Sequence, residues 1–360
     1  MEEPMSKRYV IFIPTLSQGG AERVISLLSR RMAEEAVDVT ILLYKDQEPF
    51  YTIDPGVKLV YVPRESGSTN LLKNLLWMRR FYRGNADAVL SFLAPFNILT
   101  LLATLGGKQT VIVADRNDPR FVPAKWPVRK LRDFLYRFAD GVIVQTRHNQ
   151  AYFSAAVQKK STIIYNPVDL GEKAGLALRT EKQKRIVSVG RLMPQKNQIM
   201  LLEAFASIRE RFPEYALTIY GEGPHRETLE EKIRQLGLEG AVLLPGSVKD
   251  VHERIADGEL FVMSSNYEGM PNALIEAMCL GLPVISTAVS GATDLIRHGE
   301  NGLLVPCGDT AGLTAAMEQL LADPEKRLAF GREAVKLNGA LKVGDITQQW
   351  LDTVEQYSAR

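Results

Sequence analysis

Two glutamates, Glu268 and Glu276, lie eight residues apart in the run SSNYEGMPNALIEAM from Ser264 to Met278. The apolar stretch Glu259–Met263 before them reads as a short buried strand. Gly269 permits a tight turn, and Pro271 suits the first helical position, where its fixed φ fits and its missing N–H is not needed. The backbone N–H groups of Met270 and of the residues after Pro271, Asn272 among them, then point out of the sheet. A helix N-terminus so placed attracts phosphate. A carboxylate beside it is a natural acceptor for vicinal sugar hydroxyls. Taken alone, the pattern also fits a plain acidic helix start, since Asp and Glu enrich first turns.

A basic counterpart lies upstream. The segment from Lys184 to Asn197 reads as a strand ending at Gly190, a loop carrying Arg191 and Lys196, and then a helix with Ile199, Leu201, Leu202, Phe205 and Ile208 at helical spacing. Ligands of doubly wound sheets bind at the carboxyl ends of strands. Arg191 and Lys196 are therefore expected on the rim that carries Glu268 and Glu276. An Arg fork, a Lys point charge and a helix N-terminus together make a diphosphate site.

On these residues the chain resembles the retaining glycosyltransferases of family 4, with the GT-B fold. Gly19-Gly20-Ala21-Glu22-Arg23, Asn166-Pro167-Val168-Asp169, Gly291-Ala292-Thr293-Asp294 and Asn301-Gly302-Leu303-Leu304-Val305 extend the resemblance over essentially the whole chain. Within the family it looks most like bacterial transferases that move GalNAc onto polyprenyl-diphosphate-linked glycans for N-glycan assembly, and like capsule and exopolysaccharide enzymes.

The resemblance implies two doubly wound Rossmann-like domains facing a cleft, with a C-terminal helix that crosses back to the first. It implies a metal-independent transfer from a nucleotide sugar, with UDP the expected nucleotide and no cofactor. Arg191 and Lys196 then bind the diphosphate and Glu276 the ribose. Glu268, with Gly269 and Met270, touches the sugar. Gly19 and Gly20 let the first loop approach sugar and phosphate, and Gly221 and Gly223 leave room for the nucleotide. Val248 in Pro245-Gly246-Ser247-Val248 lies against the base. On the acceptor side are Asp115 and Arg116, where many relatives carry Glu-His or Glu-Arg; Arg116 suits an acceptor phosphate or sugar, and a structural ion pair fits equally well. The basic helix with Lys73, Arg79, Arg80 and Arg83 is expected to hold the lipid-linked acceptor. No carboxylate nucleophile is expected: the reaction runs on one face, with the leaving phosphate taking the acceptor proton.

The bulk of the chain bounds this reading. At 360 residues, two domains are the prior. Residues 1–170 carry 23 Lys and Arg against 16 Asp and Glu, and the rest carry 21 against 26. The basic half suits anionic lipid or a lipid diphosphate, and no recognition motif supports nucleic acid. No run is long enough to span a membrane, so a cytoplasmic protein, peripheral on the inner face of the membrane, is expected. The second basic stretch, Phe121–Phe138, includes Lys125, Trp126, Arg129, Lys130, Arg132 and Arg137, and also suits a membrane surface. Cys279 and Cys307 lie in apolar stretches and read as buried thiols. The four histidines, His148, His225, His252 and His298, read as surface or packing residues.

Strands and helices alternate through both halves, as in two parallel sheets. The expected boundaries are 1–170 with 343–360, a linker at 171–184, and 185–342. A dinucleotide-dependent oxidoreductase would need Gly-x-Gly-x-x-Gly after the first strand, which is missing here. No Asp-x-Asp occurs, as a metal-dependent GT-A enzyme would require. A GT-B nucleotide-sugar epimerase, and a family 4 transferase with a soluble or protein acceptor, are the remaining alternatives.

Overall fold

The computed structural model describes residues 6–63, 71–176 and 182–359. The chain divides into two units, Met1–Pro167 with Leu341–Arg360, and Val168–Ala340. The first unit runs β1 (Arg8–Ile13), α1 (Gly20–Glu34), β2 (Asp38–Leu43), β3 (Lys58–Tyr61), α2 (Leu71–Asn85), β4 (Ala88–Phe92), α3 (Ala94–Thr104), β5 (Thr110–Ala114), α4 (Trp126–Leu135), β6 (Gly141–Val144), α5 (Arg147–Tyr152), α6 (Ala155–Gln158) and β7 (Ser161–Ile163). The second runs β8 (Gln183–Val189), α7 (Gln198–Ile208), β9 (Ala216–Tyr220), α8 (Arg226–Gln235), β10 (Val242–Gly246), α9 (Val251–Ala256), β11 (Gly258–Met263), α10 (Asn272–Cys279), β12 (Val284–Thr287), α11 (Ser290–Leu295), β13 (Leu303–Val305), α12 (Thr310–Ala322) and α13 (Pro324–Ala334). A last helix, α14 (Val343–Ser358), returns to the first unit.

Both sheets are parallel, ordered β3-β2-β1-β4-β5-β6-β7 and β10-β9-β8-β11-β12-β13. Parallel strands buried on both faces need near-continuous apolar runs, and Val10–Ile13, Leu260–Met263 and Val142–Val144 supply them. In each unit the strand order reverses beside the first strand, between β1 and β4 and between β8 and β11. Such reversals open the crevices where ligands of doubly wound sheets bind.

In the first unit one sheet face, with Val10, Phe12, Val89, Val111 and Val142, is covered by α2, α3 and α4. The other is covered by α1 and α14, where the buried Trp350 stacks on Phe92 at 5.2 Å. The return of the C-terminal helix is thus fixed by aromatic packing.

The expected linker differs in part. Gly171–Leu176 forms a 3₁₀ helix against α9, tied by Lys173 to Glu253 at 3.3 Å, and Gln183 and Lys184 already belong to β8. Residues 177–181 lie outside the described residues. Cys279 is buried as expected, but Cys307 is exposed, because it falls in the turn after β13 rather than in the sheet.

Candidate functional site

In the second unit the two motifs meet at the switch point. The loop after β8 carries Gly190, Arg191 and Lys196, and the loop after β11 carries Glu268 and Gly269. The neighbouring strands therefore deliver the cations and the carboxylate to one rim. Lys196 Nζ lies 2.5 Å from Glu268 Oε1, which also accepts from Ser265 Oγ at 2.8 Å. Gln195 Nε2 donates to the other carboxylate oxygen at 3.4 Å and to the Tyr267 carbonyl at 2.8 Å.

The two loops are also joined through their backbones. Asn266 N–H donates to the Gln195 carbonyl at 2.8 Å, and Ser264 Oγ to the Lys196 carbonyl at 3.0 Å. Asn197 takes the left-handed conformation, φ 46° and ψ 44°, which turns the chain from this loop into α7. Arg191 is exposed on the same loop, and its carbonyl is held by Gln198.

Behind Glu268, Ser290 Oγ donates to its backbone carbonyl at 2.8 Å, and Thr287 Oγ1 donates to the Ser265 carbonyl at 2.6 Å. A Cβ on Gly291 would stand 2.2 Å from the Gly269 carbonyl, so only glycine lets α11 close on the Glu268–Pro271 turn. That gives the Gly291-Ala292-Thr293-Asp294 motif its physical reason. Met270 and Pro271 are buried and Asn272 is half-buried.

Pro271 departs from expectation. It is the N-cap of α10, with ψ 106° and its carbonyl accepting from Ile275, rather than the first helical residue. Its extended ψ keeps it outside the helix, and no side chain caps α10.

Glu276 is buried, with Oε2 lying 3.1 Å from His252 Nε2. The reading of His252 as a mere packing residue is corrected: it faces the nominated ribose-binding carboxylate. It sits on α9, which packs beside α10. No local signal links residues 24 positions apart; only the placement of the two helices does.

Gly221 and Gly223 make room of a different kind from the expected one. Gly221 has φ +140°, and a Cβ there would lie 2.1 Å from the Gly190 carbonyl. A Cβ on Gly223 would lie 2.3 Å from the Leu192 carbonyl. The space is filled by the Gly190–Leu192 backbone, so these glycines set the height of the Arg191 loop. Val248 helps line a cavity of about 460 Å³ with Tyr220, Leu243, Pro245, Arg185 and Arg254.

In the first unit, Gly19 is the N-cap of α1, Gly20 is its first residue, and the Gly19 carbonyl accepts from Tyr51 OH at 3.2 Å. Asp115 and Arg116 follow β5 and have separate fates. Asp115 is fully buried beside Arg132 at 3.5 Å and accepts from Tyr136 OH at 3.3 Å. Burial pushes its carboxyl up to about 6, although Arg132 and Tyr136 oppose the rise. It is a structural group.

Arg116 donates through Nη2 to Asn166, which Gln145 also reaches at 2.6 Å, and lies 5.7 Å over the Phe92 ring. Its Nε and Nη1 are buried with no hydrogen-bond partner. Desolvation works against its charge and Glu22 favours it. This tie accounts for the Asn166-Pro167 motif.

Of the α2 cations, Lys73, Arg80 and Arg83 are exposed, while Arg79 donates to the Leu105 carbonyl at 2.7 Å and so closes the end of α3. Arg132 is corrected as well. It is fully buried, bonded to Asp133 at 2.8 Å and to the carbonyls of Val122 and Pro119 at 2.6 and 3.0 Å. It anchors the loop after β5 and takes no part in a wet basic face. Among the described residues no three His, Cys, Asp or Glu side chains are grouped as a metal site needs. No helix among them is long and apolar enough to cross a membrane.

The comparisons with known proteins bear on both units. Residues 18–172 match the family model for Glycosyltransferase Family 4, and residues 176–337 match that for Glycosyl transferases group 1. The chain is 30% identical to the Campylobacter jejuni N-acetylgalactosamine-N,N'-diacetylbacillosaminyl-diphospho-undecaprenol 4-alpha-N-acetylgalactosaminyltransferase, covering 90% of this chain and 93% of that protein. It is 28% identical to a second C. jejuni enzyme, an alpha-1,4-N-acetyl-D-galactosaminyltransferase acting on a diNAcBac-PP-undecaprenol-linked glycan, over 96% and 97% of the two chains. Among solved structures, Anabaena HepE in complex with UDP and glucose superposes with a TM-score of 0.82 at 19% identity, covering 97% of this chain and 99% of that one.

Proposed function

The chain belongs to the glycosyltransferases of group 1 and family 4, with the GT-B fold, and on that premise we propose that it moves a hexose or N-acetylhexosamine from a UDP-sugar to a (poly)prenyl-diphosphate-linked glycan. The transfer is retaining and uses neither metal nor cofactor. The protein works peripherally on the cytoplasmic face of an anionic membrane. The observation that carries this reading is the rim at the β8/β11 switch point, where Lys196 and Glu268 are joined and Arg191 is exposed. The acceptor class is supported by the names of the two C. jejuni relatives.

In this mechanism Arg191 and Lys196 bind the donor diphosphate. The bond from the sugar C1 to the diphosphate oxygen breaks, and the acceptor oxygen bonds to C1 on the same face. The acceptor proton passes to the departing phosphate oxygen, so UDP leaves as the charge on it is met by the two cations. Glu268, held by Ser265 and Gln195, orients the sugar hydroxyls. Glu276, braced by His252, accepts from the ribose. Fixing both partners before reaction supplies much of the acceleration.

The test is a thermal-shift screen with UDP, GDP and ADP and their sugars, with and without EDTA, followed by transfer to a prenyl-diphosphate glycan. A ligand of the native state raises the midpoint according to its affinity. A UDP-selective, EDTA-insensitive rise, lost in folded Arg191→Ala and Glu276→Ala variants, is the expected result. Stabilisation by NAD, or a strict metal requirement, would overturn it.

A further inference from the structure

Helices α2, α3 and α4 lie side by side over one face of the first unit's sheet, so their outer sides form a single surface. Nine of the twelve exposed large apolar side chains among the described residues lie on or beside this layer. Three are on α2, one is Leu105 at the end of α3, and five fall between Phe121 and Phe138. A soluble surface scatters such residues singly, and a cluster of this kind marks an interaction site.

The arrangement around α4 is regular. Lys130, Leu131 and Phe134 stand on its outer face, Arg137 and Phe138 continue that side in the 3₁₀ turn Tyr136–Phe138 that follows, and Trp126 at its start is 65% exposed. Phe134 and Phe138 meet edge to face at 5.5 Å, so they stand as one ridge. The inner face is closed by Arg132 and Leu135.

The charge is as one-sided as the apolar content. α2, α3 and α4 together hold one acidic residue, Asp133, which is engaged by Arg132 and by Tyr152 OH at 3.1 Å. Exposed cations stand on both flanks: Lys73, Arg80 and Arg83 on α2, and Lys125, Lys130 and Arg137 around α4. Aromatic side chains interleaved with Lys and Arg match the boundary of an anionic bilayer, where rings sit among head groups and cations meet phosphate.

We propose that the outer side of the α2–α3–α4 layer is the surface by which this protein lies on an anionic lipid bilayer, with the Trp126–Phe134–Phe138 ridge as its principal anchor. The proposal deepens the peripheral-membrane reading above and rests on it for the kind of partner. It transfers the lead from α2, the basic helix singled out in the sequence, to α4. On α2 the exposed Leu72 and Leu76 and the cations reinforce the contact from the other side of α3.

The experiment is co-sedimentation of the full chain with vesicles of phosphatidylglycerol and phosphatidylcholine, and with vesicles of phosphatidylcholine alone, at low and high salt. Binding is expected to the anionic vesicles and to weaken with salt. The variant Trp126→Ser/Phe134→Ser/Phe138→Ser should bind about a hundredfold or more weakly, since three exposed rings lose their burial at once. Leu72→Ser/Leu76→Ser should lose less. In the unaltered protein, brominated lipids should quench Trp126 in particular, because Trp77 is half-buried against Phe81 and Trp350 is buried.

Equal sedimentation of the ridge variant and the wild type overturns the proposal. So does indifference to anionic vesicles, or a dimer in solution that the same substitutions dissociate. Transfer to a short, water-soluble prenyl-diphosphate acceptor separates the two readings. A ridge variant that keeps this transfer but leaves the vesicles supports the surface. A wild type that binds vesicles as described yet never transfers to such an acceptor removes the acceptor assignment and leaves the surface standing.

Discussion

Each unit holds a carboxylate–cation pair at the carboxyl end of its sheet, and the two pairs differ in what surrounds them. Asp115 and Arg132 have side chains 2% and 0% exposed, and Arg132 is further enclosed by Asp133, two carbonyls and the rings of Tyr136, Tyr152 and Phe153. Lys196 and Glu268 are 21% and 10% exposed, and their loops lie beside exposed Arg191. A pair sealed from water is held by its packing, and breaking it leaves an uncompensated charge. A pair open at one edge can exchange partners, as the proposed mechanism asks of Lys196 when it turns from Glu268 to the donor phosphate. Burial, rather than residue type, separates the strut from the open pair.

The sharpest way to break the comparison is to remove one member of each pair. Arg132→Leu leaves Asp115 buried without its cation and should cost about 3–5 kcal/mol in chemical unfolding of the first unit. Loss of activity without loss of stability would contradict its assignment as a strut. Lys196→Ala should behave in the opposite sense. Transfer should fall roughly 10²–10³-fold, as for other preorganised charge stabilisers, while stability changes by about 1 kcal/mol or less. A rate near wild type would show that Lys196 does not meet the diphosphate.

Acid sharpens the same contrast. The folded Asp115 carboxyl titrates near 6, and an unfolded one near 4. The native state therefore takes up the proton first as pH falls. This group's contribution to stability is fully present below about pH 4 and is lost as pH rises through about 6, a change of roughly 2–3 kcal/mol. Urea midpoints from pH 4 to 7 should differ in slope between wild type and Asp115→Asn, and parallel profiles would refute the burial effect.

His252→Ala removes the brace on Glu276 and should raise the donor KM about tenfold with kcat little changed, as loss of one charge-assisted hydrogen bond implies. A fall in kcat alone would move His252 to the reacting centre. The smallest effect is chemical. Cys307 should react readily with a thiol reagent, while Cys279, whose thiol burial pushes up to about 12, should react after unfolding only. Two fast thiols in the native protein would refute its burial.

What the sequence made legible is what periodicity and local motif control. Strand runs such as Thr110–Ala114 and Leu260–Met263, the Arg191–Lys196 loop and the Glu268-x7-Glu276 run needed no long-range knowledge. The shared rim of Lys196 and Glu268 followed once both loops were placed at strand ends, whereas their ion pair did not. What stayed hidden depends on contacts distant in sequence. Arg132 reads as one cation among five in its stretch, and its burial comes from a loop that folds over it from Pro119 to Val122. His252 meets Glu276 because α9 lies beside α10, which no spacing announces. Gly221 and Gly223 read as room for a ligand, whereas the backbone that fills that room belongs to a loop thirty residues earlier.

The return of α14 has a consequence for how the protein is made. Its Trp350 covers Phe92, and Ser358 Oγ lies 2.9 Å from Thr110 Oγ1, so the first unit is completed by residues that leave the ribosome after the whole of the second. During synthesis the second unit can close while the first still shows an apolar face, reversing the usual order in which domains mature from the N-terminus. Premature release near residue 340 would then yield one finished half tethered to one unfinished half, and it is the earlier-made half that a chaperone would have to shield.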